Sequence, residues 1–232
     1  MLRASAICPT FNRPALVCEA VYWFTQQTWG NKELIVLNDN PRMLLFTHVP
    51  NVVIYNERVR FPTLGEKYNE LIHLATGDVI FPWEDDDISL PLRIQQGLTA
   101  MGTYAYWNPR RTWYEDSRGL HHEHQHGYCV NASCFLKSFA QRVPFRPVTG
   151  NQDADWWTRA HDECNPNQLE NCKNWQYVYR WGVTEHLSGH KHMQQAYDSA
   201  YQVEGEFEIK ATKGEDYATL CDLHARGVAA GN

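Results

Sequence analysis

Four consecutive apolar residues, Leu34-Ile35-Val36-Leu37, stand between Lys32-Glu33 and Asn38-Asp39-Asn40. A run this short and unbroken is a strand covered on both faces, which a parallel sheet with helices on either side provides. Arg3 to Cys8 forms a second apolar run ending at Pro9-Thr10, and Val79-Ile80-Phe81-Pro82 a third. Between the first two, Asn12-Arg13-Pro14 has the form of a helix start, with proline suited to the first helical position. Leu16, Val17, Ala20, Val21 and Phe24 then recur with helical spacing, predicting a helix over 14–27 that Gly30-Asn31 ends. After a loop, Asn51 to Tyr55 reads as a short strand. Residues 65–75 read as a helix with Tyr68, Leu71, Ile72 and Ala75 on one face, closed by Gly77-Asp78. Strand–helix–strand alternation with short links predicts an α/β fold, a doubly wound, mostly parallel sheet with right-handed crossovers.

In such sheets ligands sit beyond the carboxyl ends of the strands. That rule gathers Thr10, Asp39 and the run Glu84-Asp85-Asp86-Asp87 on one rim. Four adjacent carboxylates packed at a strand end repel one another unless a cation shares the charge, and hard divalent ions take several oxygen ligands, often with substrate phosphates among them. The cluster therefore reads as a metal–diphosphate site. A solvated acidic turn is the other reading, and these four residues alone leave it open.

The second half is less regular. Pro91 to Met101 reads as a helix; Thr103 to Trp107, Arg111 to Glu115 and Tyr128 to Asn131 read as strands of a smaller mixed sheet; 153–161 and 215–225 read as helices. No repeat or linker divides the 232 residues, so one domain is expected, with a nucleotide-binding half over 1–100 and an acceptor-facing half over 101–232. A hydrophobic fraction of 43% suffices for a packed core, and a net charge of −6 argues against a globally basic nucleic-acid binder. The seven cysteines form no CxxC pair, which argues against a zinc ribbon or a thioredoxin-like site. With no transmembrane-length window and no leader-like N-terminus, a cytoplasmic location is the expectation.

Ile7-Cys8-Pro9-Thr10-Phe11-Asn12-Arg13, Leu37-Asn38-Asp39, Gly65-Glu66-Lys67-Tyr68-Asn69 with Ala75-Thr76-Gly77-Asp78, and Glu84-Asp85-Asp86-Asp87-Ile88 with Pro91 and Arg93 occur in that order. Together they resemble the motifs of the family-2 glycosyltransferases of the GT-A fold. The resemblance thins over 100–145 and returns at Gln152-Asp153 with Arg159. The chain departs from the family pattern at Gln152, where a glutamate is usual, and at Glu84, where an aspartate is usual. The resemblance implies inverting transfer of a sugar from a nucleotide-diphosphate donor, UDP favoured, to an acceptor hydroxyl, with Mn2+ or Mg2+ as cofactor. It implies metal contact by Asp86 and Asp87, with Asp85 or Glu84 holding the ribose or a metal-bound water, so that Asp85 is a third metal candidate. Asp39 would read the base, Pro9, Thr10, Asn12 and Arg13 would line the base and phosphate pocket, and Lys67 would face the diphosphate. Inversion needs a base on the acceptor side. Asp153 matches the family position and Asp155 is its rival; on one helix the two point about 200° apart.

Trp156 and Trp157 read either as a sugar platform or as core. The resemblance also implies a late loop whose histidine completes the metal shell, for which His186 and His190, with His192 behind them, are candidates. His121-His122-Glu123-His124-Gln125-His126 reads as a hydrophilic hairpin loop rather than a tight metal site. Arg110-Arg111 suit an anionic acceptor or a solvated turn. Acceptor classes left open are a glycan, a lipid-linked saccharide, a protein and a modified nucleobase. Two rivals differ in kind: a nucleotidyltransferase, which would carry a Gly-rich loop near the first strand, and a nucleotide-sugar-binding module without activity, which would not need Asp153.

Overall fold

The computed structural model describes residues 1–116, 119–125, 129–165, 173–180, 203–214 and 217, with only the backbone of 119–125 and 173–175. The first half follows the expected alternation: β1 (Ala4–Thr10), α1 (Pro14–Thr25), β2 (Lys32–Asn38), β3 (Met43–Phe46), β4 (Val52–Asn56), α2 (Leu64–Leu74) and β5 (Val79–Pro82). Then come β6 (Ile88–Ser89), α3 (Arg93–Met101), β7 (Tyr106–Trp107), β8 (Arg111–Asp116), β9 (Gly119–Gln125), β10 (Cys134–Leu136), α4 (Lys137–Arg142), α5 (Gln152–Ala160), β11 (Lys173–Arg180) and β12 (Gly205–Glu208).

The central sheet has the order β4-β2-β1-β5-β10-β7. Its first four strands are parallel, whereas β10 runs antiparallel to β5 and to β7. Alternate residues of the apolar runs serve two separate cores. Ala4, Ala6, Cys8, Leu34 and Val36 pack with α1 through Val17, Ala20, Val21 and Phe24. Ile7, Ile35 and Leu37 pack with α2 through Tyr68, Leu71 and Ile72, joined by Trp156 of α5. Burial on both faces is why these strands carry no polar alternation. Pro14 opens α1 without a side-chain cap, while Thr63 caps α2 by accepting from the Glu66 backbone N–H at 3.2 Å.

A second sheet, β6-β11-β8-β9, lies beside the first, and β3 and β12 form a separate parallel pair. Several elements depart from the expectation. The loop expected between β2 and β4 contains β3, which forms because 205–208 returns from late in the chain to pair with it. A strand is expected over Tyr128–Asn131; Tyr128 lies outside the described residues, and Val130–Ala132 forms a 3-10 turn, with the Asn131 carbonyl drawn to Arg93 and the Val130 carbonyl to the Ser133 hydroxyl. The histidine-rich stretch expected as a loop is β9, antiparallel to β8; its side chains, and His126, lie outside the described residues. The helix expected over 215–225 also lies outside them, apart from Tyr217. Among the described residues no helix is long and apolar enough to cross a membrane. Cys8, Cys129 and Cys134 are buried, and Cys18 and Cys164 are half-buried.

Candidate active site

The carboxyl ends of β1, β2 and β5 meet, as parallel strands require, and the acids that follow β5 turn inward rather than into water. Asp85 is fully buried and Asp86 and Asp87 nearly so, which removes the solvated-turn reading. The Thr10 hydroxyl at the end of β1 donates to Asp85 Oδ2 at 2.7 Å. Lys67, from the first turn of α2, donates to the Thr10 carbonyl at 2.7 Å and to Asp39 Oδ1 at 2.5 Å, and the Phe61 N–H donates to Asp39 Oδ2 at 3.1 Å. Thr10, Asp39 and the acid run thus form one connected network. Lys67 was expected to face a phosphate, yet it is only 2% exposed and its ammonium is engaged by Asp39 and the β1 carbonyl. Burial lowers its pKa even against the attraction of Asp39.

Each acid has its own surroundings. Glu84 accepts from the Tyr68 hydroxyl. Arg13 lies across the next two acids, with Nη2 2.8 Å from Asp85 Oδ1 and Nη1 2.8 Å from Asp86 Oδ2. Asp87 accepts from the Tyr177 hydroxyl and, at 2.9 Å, from the Arg180 N–H, both on β11. The Arg180 side chain continues to the Asp86 carbonyl at 2.5 Å and to Glu19 of α1 at 2.9 Å. Beneath them Arg93 is buried, donates to the Pro82 and Asn131 carbonyls at 2.5 Å, and lies over the Trp83 and Tyr177 rings.

Burial, followed by mutual repulsion, pushes the Glu84 carboxyl well above its ordinary value. Burial raises Asp85 to about 6, with Arg13 opposing, and raises Asp87 to about 7, with Asp86 adding to the shift. Burial works against the charge on Arg13, but Asp85 and Asp86 outweigh it and hold the guanidinium above its usual range. Burial and mutual repulsion thus favour the protonated forms of Glu84, Asp85 and Asp87.

The other pocket residues follow the same rim. Pro9 is in β1, in register with Leu37. Asn12 sits at a φ of 63°, in the left-handed region asparagine tolerates, and its Oδ1 accepts from Asn40 Nδ2 at 2.5 Å and from the Val203 N–H at 3.2 Å. Arg60 lies 3.7 Å from the centroid of the Phe11 ring.

On α5 the two aspartates differ. Asp155 lies 2.9 Å from Arg146 and 2.9 Å from Arg159. Asp153 accepts from the Ala154 N–H at 2.8 Å, and burial raises its pKa. The Cys129 thiol, pushed up to about 12 by burial, feels both Asp87 and Asp153, so the two carboxylates lie within electrostatic reach of one buried group. Trp156 is core, not a sugar platform: it is fully buried and stacks on Phe145 at 5.1 Å. Trp157 is partly buried against the same core. His186, His190 and His192 lie outside the described residues.

The acid run suits a divalent ion in chemistry, because carboxylate oxygens are the hard donors that Mn2+ and Mg2+ take. A cationic group already bridges Asp85 and Asp86, which shows that these two carboxylates can share one positive centre. Among the described residues, however, no group of three His, Cys, Asp or Glu side chains is arranged around a common point.

Tyr177, Arg180, Arg93, Tyr68 and Arg60 belong to the site although the sequence pattern did not point to their roles. The alternation of Trp175, Tyr177 and Tyr179 was the available sign that 173–180 is a strand. Nothing in it indicated that this strand ends beside Asp87.

A mostly parallel sheet flanked by helices, with buried acids at its carboxyl rim, is the architecture of the GT-A fold. The sequence profile described as Glycosyl transferase family 2 matches residues 5–161. The chain belongs to that family. Among solved structures, residues 1–349 of S. aureus TarS with UDP-GlcNAc are similar at a TM-score of 0.56 and 12% identity, over 86% of this chain and 62% of that one. The same TarS fragment with UDP gives 0.55 and 10%, over 78% and 61%. The mannosyltransferase PcManGT from Pyrobaculum calidifontis with GDP-Man and Mn2+ gives 0.55 and 13%, over 88% and 66%. The chain thus spans less than two thirds of each of these relatives. No curated protein matches the sequence.

Proposed function

We propose that this chain is an inverting, metal-dependent glycosyltransferase that moves a sugar from a nucleotide-diphosphate donor to an acceptor hydroxyl, working as one domain with its donor side in residues 1–100 and its acceptor side in 101–232. The observation that carries the reading is the buried acid run tied through Thr10 and Lys67 to Asp39. Family membership supports the reaction class. Complexes of similar folds with UDP-GlcNAc and with GDP-Man and Mn2+ support the donor class and the cofactor.

In this reading Asp85 and Asp86 hold Mn2+ or Mg2+, Asp87 supports them from below, and a late histidine, His186 or His190, completes the shell. The bound ion would neutralise charge on the leaving diphosphate. Asp39, oriented by Lys67, accepts from the base, and Phe11 with Arg60 forms the flanking wall. Pro9, Thr10, Asn12 and Arg13 shape the phosphate end. Asp153, raised by burial and free of the arginines that occupy Asp155, takes the acceptor proton as the hydroxyl attacks. UDP is the favoured nucleotide.

The test is a panel of nucleotide sugars with and without Mn2+, read by thermal shift and by nucleotide release. A glycosyltransferase slowly hydrolyses its donor in the presence of metal. Binding across the panel with no release and no transfer would make the chain a binding module, and no binding at all would remove the donor site.

A further inference from the structure

The acid run needs a cation, and the chain already supplies one from within. The Arg13 guanidinium lies 2.8 Å from both Asp85 Oδ1 and Asp86 Oδ2, as an ion pair with the first and a hydrogen-bonded ion pair with the second. Its side chain is 26% exposed while those of Asp85 and Asp86 are 0% and 8%, so it reaches the acids from the solvent side. Two other guanidiniums stand at the cluster among the described residues: that of Arg180 is directed to the Asp86 carbonyl and to Glu19, and that of Arg93 to the Pro82 and Asn131 carbonyls. The Arg13 backbone is pinned at the start of α1, one residue after Asn12, which is tied to Asn40 and Val203. Displacing the side chain would leave the start of the helix held by these contacts. A hard divalent ion would take these same carboxylate oxygens.

We propose that Arg13 is an exchangeable internal counter-ion: it holds Asp85 and Asp86 together before metal arrives, and a divalent cation must displace it to bind. The displaced guanidinium, still anchored at the rim, then becomes a partner for the phosphates of a nucleoside diphosphate. Metal entry and donor capture are coupled through one side chain. This rests on the acid run being the metal site.

The experiment titrates the full chain with Mn2+, reading free Mn2+ by electron paramagnetic resonance, for wild type, Arg13→Gln and Arg13→Lys, without and with UDP. Removing a unit positive charge beside the acids should tighten Mn2+ binding by about tenfold or more without UDP. Arg13→Lys, which keeps the charge but cannot bridge both carboxylates, should fall between. UDP should strengthen Mn2+ binding more in wild type than in Arg13→Gln. Equal or weaker Mn2+ affinity in both variants overturns the exchange and leaves the metal site standing. Absence of Mn2+ binding in all three proteins, with and without UDP, fails the metal reading itself and the exchange with it. If circular dichroism shows Arg13→Gln unfolded, Arg13→Lys carries the test: tighter binding than wild type supports the exchange, and equal or weaker binding overturns it.

Discussion

Asp153 and Asp155 are two positions apart on α5 and live in opposite surroundings. Two guanidinium groups hold Asp155, whereas Asp153 accepts a backbone N–H and is raised by burial. Asp153→Asn should therefore keep nucleotide affinity while turnover falls by about 100- to 10,000-fold, the span of general-base effects. Asp155→Asn should keep turnover and change unfolding free energy by about 1 kcal/mol or less, as half-exposed pairs do. Initial rates and urea melts of the two variants check this, and the reverse pattern would transfer the base to Asp155. The base must be ionised to act, so the rate should climb with pH, with its midpoint above that of an ordinary aspartate. A second residue-level expectation concerns Tyr177→Phe, which takes a donor from buried Asp87. It should cost about 1–3 kcal/mol in a denaturant melt, the penalty for leaving a buried acceptor under-satisfied.

At the scale of elements, α2 links the carboxyl rim of the sheet to the segment that leads into α5. The Thr63 hydroxyl caps it and donates to the Glu66 carboxylate at 2.7 Å, and the next residue is Lys67, which orients Asp39. Thr63→Ala should cost about 1 kcal/mol in urea unfolding and weaken nucleotide binding as the first turn loosens. Gly65 lies so close to the 146–148 segment that a Cβ would stand 1.9 Å from the Arg146 carbonyl oxygen. Backbone cannot rotate away as a side chain can, so Gly65→Ala should destabilise by about 1–3 kcal/mol. Because that segment leads into α5, turnover should fall more than donor affinity. A Gly65→Ala protein of unchanged melting and rate would contradict the contact. These elements were legible to different degrees. The parallel strands and α2 were visible because local periodicity and turn residues define them. β3 and β12 were not, since each forms only because the other, about 160 residues away by the Thr47–Ile209 bond, arrives to pair with it.

For the molecule as a whole, the buried acids set how stability depends on pH without metal. Asp85 and Asp87 hold their protons to about 6 and about 7, against an ordinary 3.8. The folded chain therefore binds more protons than the unfolded chain between those values. Their contribution is fully present below pH 4 and is lost as pH rises through 6 to 7. The melting temperature of metal-free protein should fall from about pH 5 to about pH 8, and saturating Mn2+ should recover most of that loss at the alkaline end by mass action. Differential scanning fluorimetry across this range checks it, and a flat profile without metal would mean the acids are ionised and compensated some other way.

The chain's own order of residues determined the parallel sheet, the strand ends that face its rim and the need of Glu84 to Asp87 for compensating charge. Those features follow from periodicity and from chemistry carried by neighbouring residues. Tertiary structure decided the partners: Lys67 went to Asp39, Arg13 to Asp85 and Asp86, and Tyr177, 90 residues away, to Asp87. A buried carboxylate states that it requires a donor, whereas the identity of that donor depends on which distant backbone the packing of two cores brings alongside it.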